Sequence, residues 1–168
     1  MSSKWKRRIR EILFTLALIT VLSFAMDVWR SQDMPQVELP EVQGFTTSGQ
    51  VVDVITMSKE KPVLVYFWAT WCPACKFVTP TVNWMSDSEH YSVVGIPISS
   101  GSDERVSRFL QAHDYQFENL NDPTGRISRQ WGVSVTPTVV IVRNGEIHSA
   151  TTGITTPPGL LARVWLAK

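Results

Sequence analysis

Both cysteines of this chain fall within one four-residue stretch, Cys72-Pro-Ala-Cys75, directly after the run Val63-Leu-Val-Tyr-Phe-Trp68. That run is apolar, β-branched and aromatic, which predicts a strand buried on both faces. A short turn follows, and Pro73 suits the first position of a helix, where its missing N–H costs nothing. Residues 74–86 are compatible with that helix. Cys72 then stands at a helix N-terminus, where unpaired backbone N–H groups and the helix dipole favour the thiolate. Cys75 follows one turn later on the same face, within reach of a disulfide.

Three chemistries use a Cys-x-x-Cys pair. Structural zinc needs four ligands and catalytic zinc three, whereas His90, His113 and His148 are scattered singly and there is no second cysteine pair. A structural staple across so short a loop restricts the unfolded chain by only about 2 kcal/mol, against about 4.7 kcal/mol for a 100-residue loop. Thiol-disulfide exchange needs a strand, a helix N-terminus and a two-residue spacer. It is the reading this stretch favours.

The start of the chain has a different character. Six of the 16 Lys and Arg residues and two of the 15 Asp and Glu residues lie in residues 1–30, leaving 10 basic against 13 acidic residues in the rest. That balance argues against a nucleic-acid partner. Residues 1–30 read as a basic cytoplasmic N-terminus followed by a transmembrane anchor. Ile12–Met26 is uncharged but spans only about 22 Å as a helix, whereas Ile9–Trp29 spans about 31 Å, close to a bilayer core of roughly 30 Å. Trp5 and Trp29 flank it as interfacial residues do. A cleaved signal peptide is the alternative, since Ser23-Phe24-Ala25 supplies small residues at the required spacing. Both readings place the cysteines outside the cytoplasmic membrane, in the same oxidising compartment.

Residues 31–40 hold two prolines and no periodicity, the pattern of a tether. Residues 41–168 then form the folded domain. Val42–Thr46 and Gln50–Ile55 flank a hairpin-like turn at Thr47-Ser48-Gly49, and a short helix is expected within 53–61. The motif helix should run from Pro73 to about Ser86, kinked by Pro80, with Phe77, Val78, Val82 and Met85 as its apolar stripe. Further strands are expected at Tyr91–Ile98, Val139–Val142 and Ile147–Thr151, the last two joined through Asn144-Gly145. Helices are expected at Asp103–His113, Thr124–Trp131 and Pro157–Leu166, the last with Leu160, Leu161, Val164 and Trp165 as its apolar residues. Strands separated by helices, closing on an antiparallel hairpin and a helix, give a mixed α/β sheet covered on both faces.

These residues bring a resemblance into view. Phe67-Trp-Ala-Thr-Trp-Cys-Pro-Ala-Cys75, Pro80, Asp122-Pro-Thr-Gly125, Gly132-Val133 and Thr136-Pro137-Thr138 together resemble membrane-tethered thioredoxin-fold proteins of the TlpA, ResA and cytochrome-c-maturation thioredoxin type, over roughly residues 40–168. Within that family the chain is similar to the suppressor for copper sensitivity proteins that carry Cys-Pro-Ala-Cys. The resemblance implies a thioredoxin fold with an N-terminal β-hairpin extension. It also implies a cis peptide bond before Pro137, which would lie against the cysteine pair and leave the Thr136 backbone able to pair with a substrate chain.

In the mechanism so implied, Cys72 attacks a protein disulfide and Cys75 resolves the mixed disulfide. Trp68 and Trp71 shape the docking surface with Pro73, and Lys61 and Lys76 are candidates for added positive potential, although a solvated surface role is the plainer reading of both lysines. The resemblance further implies a reductant fed by a membrane electron donor, without any cofactor or metal, and with links to copper tolerance or cytochrome c maturation. A Cu(I)-binding module using the same cysteines is the alternative. One departure stands out: thioredoxins carry a buried Asp on the central strand, and the corresponding residue here is Tyr66. Some ResA-like relatives place a Glu three residues after the second cysteine, where this chain has Val78.

Overall fold

The computed structural model describes residues 5, 7–15, 17–18, 21–22, 39–40 and 42–167. The chain divides into two units, Met1–Gln32 and Asp33–Lys168. The described residues of the first unit are helical. Among the described residues no helix is long and apolar enough to cross a membrane. Residues 16, 19–20 and 23–30 of the expected anchor, and 31–38 of the expected tether, lie outside the described residues.

The second unit opens with a hairpin, β1 (Gln43–Phe45) against β2 (Val51–Asp53), closed by the Gly49 N–H on the Thr46 carbonyl. Helix α1 (Val54–Glu60) follows at once, because Asp53 accepts the Thr56 N–H at 3.0 Å and so caps it. Then come β3 (Val63–Trp68), α2 (Cys75–Ser86), β4 (Ser92–Pro97) and α3 (Asp103–Ala112). The chain closes with β5 (Glu118–Asn119), α4 (Arg126–Gln130), β6 (Thr138–Arg143), β7 (Glu146–Thr152) and α5 (Pro157–Leu166).

The five-stranded sheet has the order β5-β4-β3-β6-β7. β4 is parallel to β3 and to β5, whereas β6 runs antiparallel to β3 and to β7. β3 is therefore central, and all six of its residues are buried. Its side chains alternate between two cores, as the period of a strand requires. Leu64, Tyr66 and Trp68 pack with residues of α2, α3 and α5. Val63, Val65 and Phe67 pack on the other face with β2, α1 and α4. Thus the mixed sheet with helices on both faces, and the hairpin extension before it, are both present.

Two turn signals act as their chemistry dictates. Asn144 and Gly145 both take positive φ (54° and 79°), the condition for the tight turn joining β6 to β7. Gly132 takes φ 64° after α4; its N–H bonds the Arg129 carbonyl and the Val133 N–H bonds the Ser128 carbonyl, so the Gly132-Val133 pair is a helix stop. At the other end of α4 the buried Asp122 carboxylate accepts the Ile127 and Ser128 N–H groups at 3.2 and 2.9 Å.

Several expected placements differ. α2 begins at Cys75 rather than Pro73, and Pro73-Ala74 form a tight turn in which the Lys76 and Phe77 N–H groups bond the Pro73 and Ala74 carbonyls. Phe77 was expected in the apolar stripe of α2 but is 70% exposed; Thr79 is buried beside Val78, Val82 and Met85 instead. In α5, Leu160 and Val164 are buried whereas Leu161 and Trp165 are exposed. Both differences arise because a helix buries one stripe only, and apolar residues one position off that stripe turn outward. β5, which carries no periodicity of its own, exists by pairing with β4 through Val94–Glu118 and Gly95–Asn119.

Candidate active site

β3 points its C-terminal end at the cysteines. Beyond Trp68 the chain turns through Thr70 and Trp71, and the Cys72 N–H returns to the Ala69 carbonyl at 3.2 Å. The neighbouring loop after β4 fixes this turn. The buried Ser100 hydroxyl accepts the Thr70 N–H at 3.0 Å while donating to the Ile98 carbonyl at 3.1 Å. The Trp71 indole N–H donates to the Ser99 carbonyl at 3.1 Å. Sequence reasoning did not single out Ser99 or Ser100, which carry no motif; they matter because β4 ends beside β3.

Cys72 and Cys75 are joined in a disulfide. Cys75 opens α2, and its N–H donates to Cys72 Sγ at 3.2 Å. A helix N-terminal N–H is thus directed at the sulfur that would carry the negative charge of a thiolate. Only 4% of Cys72 is exposed, and both sulfurs belong to the same apolar core as Tyr66 and Trp68. Flanking Cys72 are Trp71, 60% exposed, and Pro73, also exposed.

Thr136 and Pro137 come to the same end of the sheet. Thr138, the first residue of β6, is paired with Phe67, so the two residues before it lie beside the end of β3 from which the cysteine turn departs. The peptide bond between Thr136 and Pro137 is cis, Pro137 is buried, and Thr136 is partly exposed next to an exposed Val135. The Pro137 carbonyl accepts the Gly153 N–H at 2.8 Å, and the Thr138 hydroxyl donates to the Val135 carbonyl at 2.9 Å, which closes the approach to the strand.

Two expected contributors are placed elsewhere. Trp68 is 1% exposed and packs inward, its indole N–H donating to the buried Asn119 side chain at 2.9 Å. It belongs to the core rather than to the docking surface, because strand alternation turns it toward α3. Lys61 lies before β3, at the end opposite the cysteines and about 20 Å of strand away, where its ammonium donates to the Glu89 carbonyl. It cannot add potential at Cys72. Lys76 is exposed on the first turn of α2.

At the position of the missing acid, Tyr66 is fully buried and its hydroxyl lies 2.9 Å from that of Thr79. Burial pushes its phenol pKa far above the ordinary tyrosine value, outweighing the opposing effect of the Thr79 hydrogen bond. Tyr66 therefore stays neutral and supplies no carboxylate-like base. Among the described residues no group of three or more His, Cys, Asp and Glu side chains could hold a metal ion.

Residues 31–150 match the AhpC/TSA family. A thioredoxin-like protein of Haemophilus influenzae is 33% identical over 159 residues, covering 94% of this chain and 92% of that one. A thiol:disulfide interchange protein DsbE homolog of Paracoccus denitrificans is 34% identical over 113 residues, 66% of this chain and 62% of that one. Among solved structures, a secreted Mycobacterium tuberculosis disulfide oxidoreductase homologous to E. coli DsbE superposes with a TM-score of 0.64 at 25% identity, over 74% of this chain and 95% of that one. With a bonded cysteine pair at a helix N-terminus and relatives of this kind, the chain belongs to the AhpC/TSA family and is a thioredoxin-like thiol:disulfide oxidoreductase.

Proposed function

We propose that the protein is a membrane-tethered, extracytoplasmic reductant of protein disulfides, acting through Cys72 and Cys75. The observation that carries the exchange chemistry is the Cys75 N–H aimed at Cys72 Sγ in an otherwise apolar setting. In the reduced protein Cys72, as thiolate, attacks a substrate disulfide and forms a mixed disulfide, releasing one substrate thiolate. Cys75 then attacks Cys72 Sγ, the internal disulfide forms, and the second substrate thiolate leaves. Two electrons pass to the substrate, and the two cysteine protons end on its thiols.

Burial supports the reducing direction. With a backbone N–H on Cys72 Sγ and an apolar surround, the thiolate is stabilised less than one beside an adjacent cation, and such a pair holds its disulfide more firmly. Trp71, Pro73 and Val135 are exposed and would offer apolar surface to a docking substrate chain, with which the backbone at Thr136 would pair as an added strand. Residues 1–30 provide the inner-membrane anchor, with the catalytic domain in the periplasm. A membrane protein restores the dithiol after each turnover. Resemblance to the copper-sensitivity and cytochrome-c-maturation thioredoxins makes copper tolerance and haem attachment the processes to test.

Fusion of a reporter enzyme that is active only outside the cytoplasm after Lys168, in a bacterial host, tests the placement. Acid quenching followed by alkylation reads the redox state of the pair in the same cells. The expected outcome is an active reporter and a pair held mostly as dithiol. An inactive reporter contradicts the compartment, and a pair held as disulfide in growing cells contradicts the reducing role.

A further inference from the structure

A chain of two buried hydroxyls ends on the second cysteine. The Thr79 hydroxyl donates to the Cys75 carbonyl at 2.8 Å. A hydroxyl carries one hydrogen, so the 2.9 Å contact between Tyr66 and Thr79 must have the tyrosine as donor. The order is Tyr66 O–H to Thr79 Oγ1, and Thr79 O–H to Cys75 O, linking the central strand to the residue that opens α2. All three residues are at most 3% exposed. The ring of Tyr66 is held by Trp68 and Phe117, with centroids 6.4 and 6.2 Å away, so its hydroxyl is presented from a fixed platform.

The helix needs such a tie at this point. Pro80, inside α2, has no N–H, so the Lys76 carbonyl lacks its i+4 donor one residue beyond Cys75. The turn that carries Cys75 is thus weakly laddered on its C-terminal side, and its position relative to β3 rests on packing and on the hydroxyl chain.

We propose that Tyr66 and Thr79 are positioning residues for Cys75, holding its sulfur for the second step of exchange, the attack on the mixed disulfide at Cys72. The first step, attack by Cys72 on the substrate, does not use them. This inference rests on the exchange chemistry proposed above.

Glutathione disulfide serves as the probe. Reduced full-length protein attacks it through Cys72, giving a Cys72–glutathione mixed disulfide and one glutathione. Attack by Cys75 then gives the internal disulfide and a second glutathione, so the reaction is balanced without a further oxidant. Rapid acid quenching and mass spectrometry follow the adduct. In Tyr66→Phe and Thr79→Val, adduct formation proceeds at the wild-type rate, while its resolution slows about tenfold, the effect of one lost buried hydrogen bond. Thr79→Ser, which keeps the hydroxyl, resolves at the wild-type rate. Equal slowing of both steps, as a general loosening of the fold would produce, overturns the proposal. So does resolution at the wild-type rate in both Tyr66→Phe and Thr79→Val. Wild-type protein that forms no Cys72 adduct would instead remove the exchange reading on which the proposal stands.

Discussion

Cys72→Ser lowers the rate of protein-disulfide reduction by roughly ten-thousand-fold or more, to the level without enzyme, because a hydroxyl is not a competent nucleophile toward sulfur and the remaining thiol, Cys75, is buried. Cys75→Ser behaves differently. Its Cys72 keeps the serine N–H on Sγ, since that donor is backbone, so the first step survives and the substrate remains covalently attached. The expected result is a substrate adduct stable to non-reducing electrophoresis and released by dithiothreitol. If Cys75→Ser turned over at the wild-type rate, resolution by Cys75 would be refuted, and Cys72→Ser with residual turnover would refute Cys72 as nucleophile.

Trp68→Ala has the largest effect expected on stability. The side chain is fully buried among Tyr66, Phe109 and Phe117, with ring centroids 5.5 to 6.4 Å away, and its indole N–H occupies the Asn119 carbonyl oxygen. Truncation leaves a cavity of indole size and an unpaired buried amide oxygen on Asn119, a loss of about 3–5 kcal/mol. A domain of this size has about 5–15 kcal/mol in total, so the variant unfolds at a much lower urea concentration. Trp68→Phe should fall between the two. A change below about 1 kcal/mol in Trp68→Ala would mean that the indole is not part of the core. The neighbouring Trp71, 60% exposed, is expected to tolerate truncation with little change in stability.

The two tryptophans show where the sequence was readable and where it was not. Both precede the cysteine pair within four residues and read alike as candidates for the docking surface. Their separation depends on the parity of β3, which turns Tyr66 and Trp68 toward α2 and α3, and on the turn at Thr70, which releases Trp71 outward. Strand positions around the cysteines, and the approximate start of the motif helix, were legible because the signals are local: a run of β-branched and aromatic residues, a proline close to the helix start, Asn-Gly and Gly132 where positive φ is needed. Phe77 and Trp165 misled for the converse reason, since composition marks a residue as apolar without marking which side of the helix it takes.

Long-range contacts were the illegible part. β5 is two residues that become a strand only by meeting β4. Ser100 acquires its role from a backbone N–H thirty positions earlier. The absence of an acid at Tyr66 was visible in the sequence, but its partner was not, because Thr79 inside a helix gives no sign that it faces a strand thirteen residues before it.

Cys72 and Cys75 are proposed to form a reversible dithiol that reduces other proteins. The direct measurement is the reduction potential of the pair in the full-length protein, equilibrated in glutathione or dithiothreitol buffers and read by acid quenching and alkylation. A two-electron titration centred near or below about −220 mV, in the range of dedicated reductants, is expected. A midpoint near about −120 mV, that of a strong disulfide donor, would contradict the reducing role. A pair that does not titrate reversibly would contradict the exchange chemistry itself.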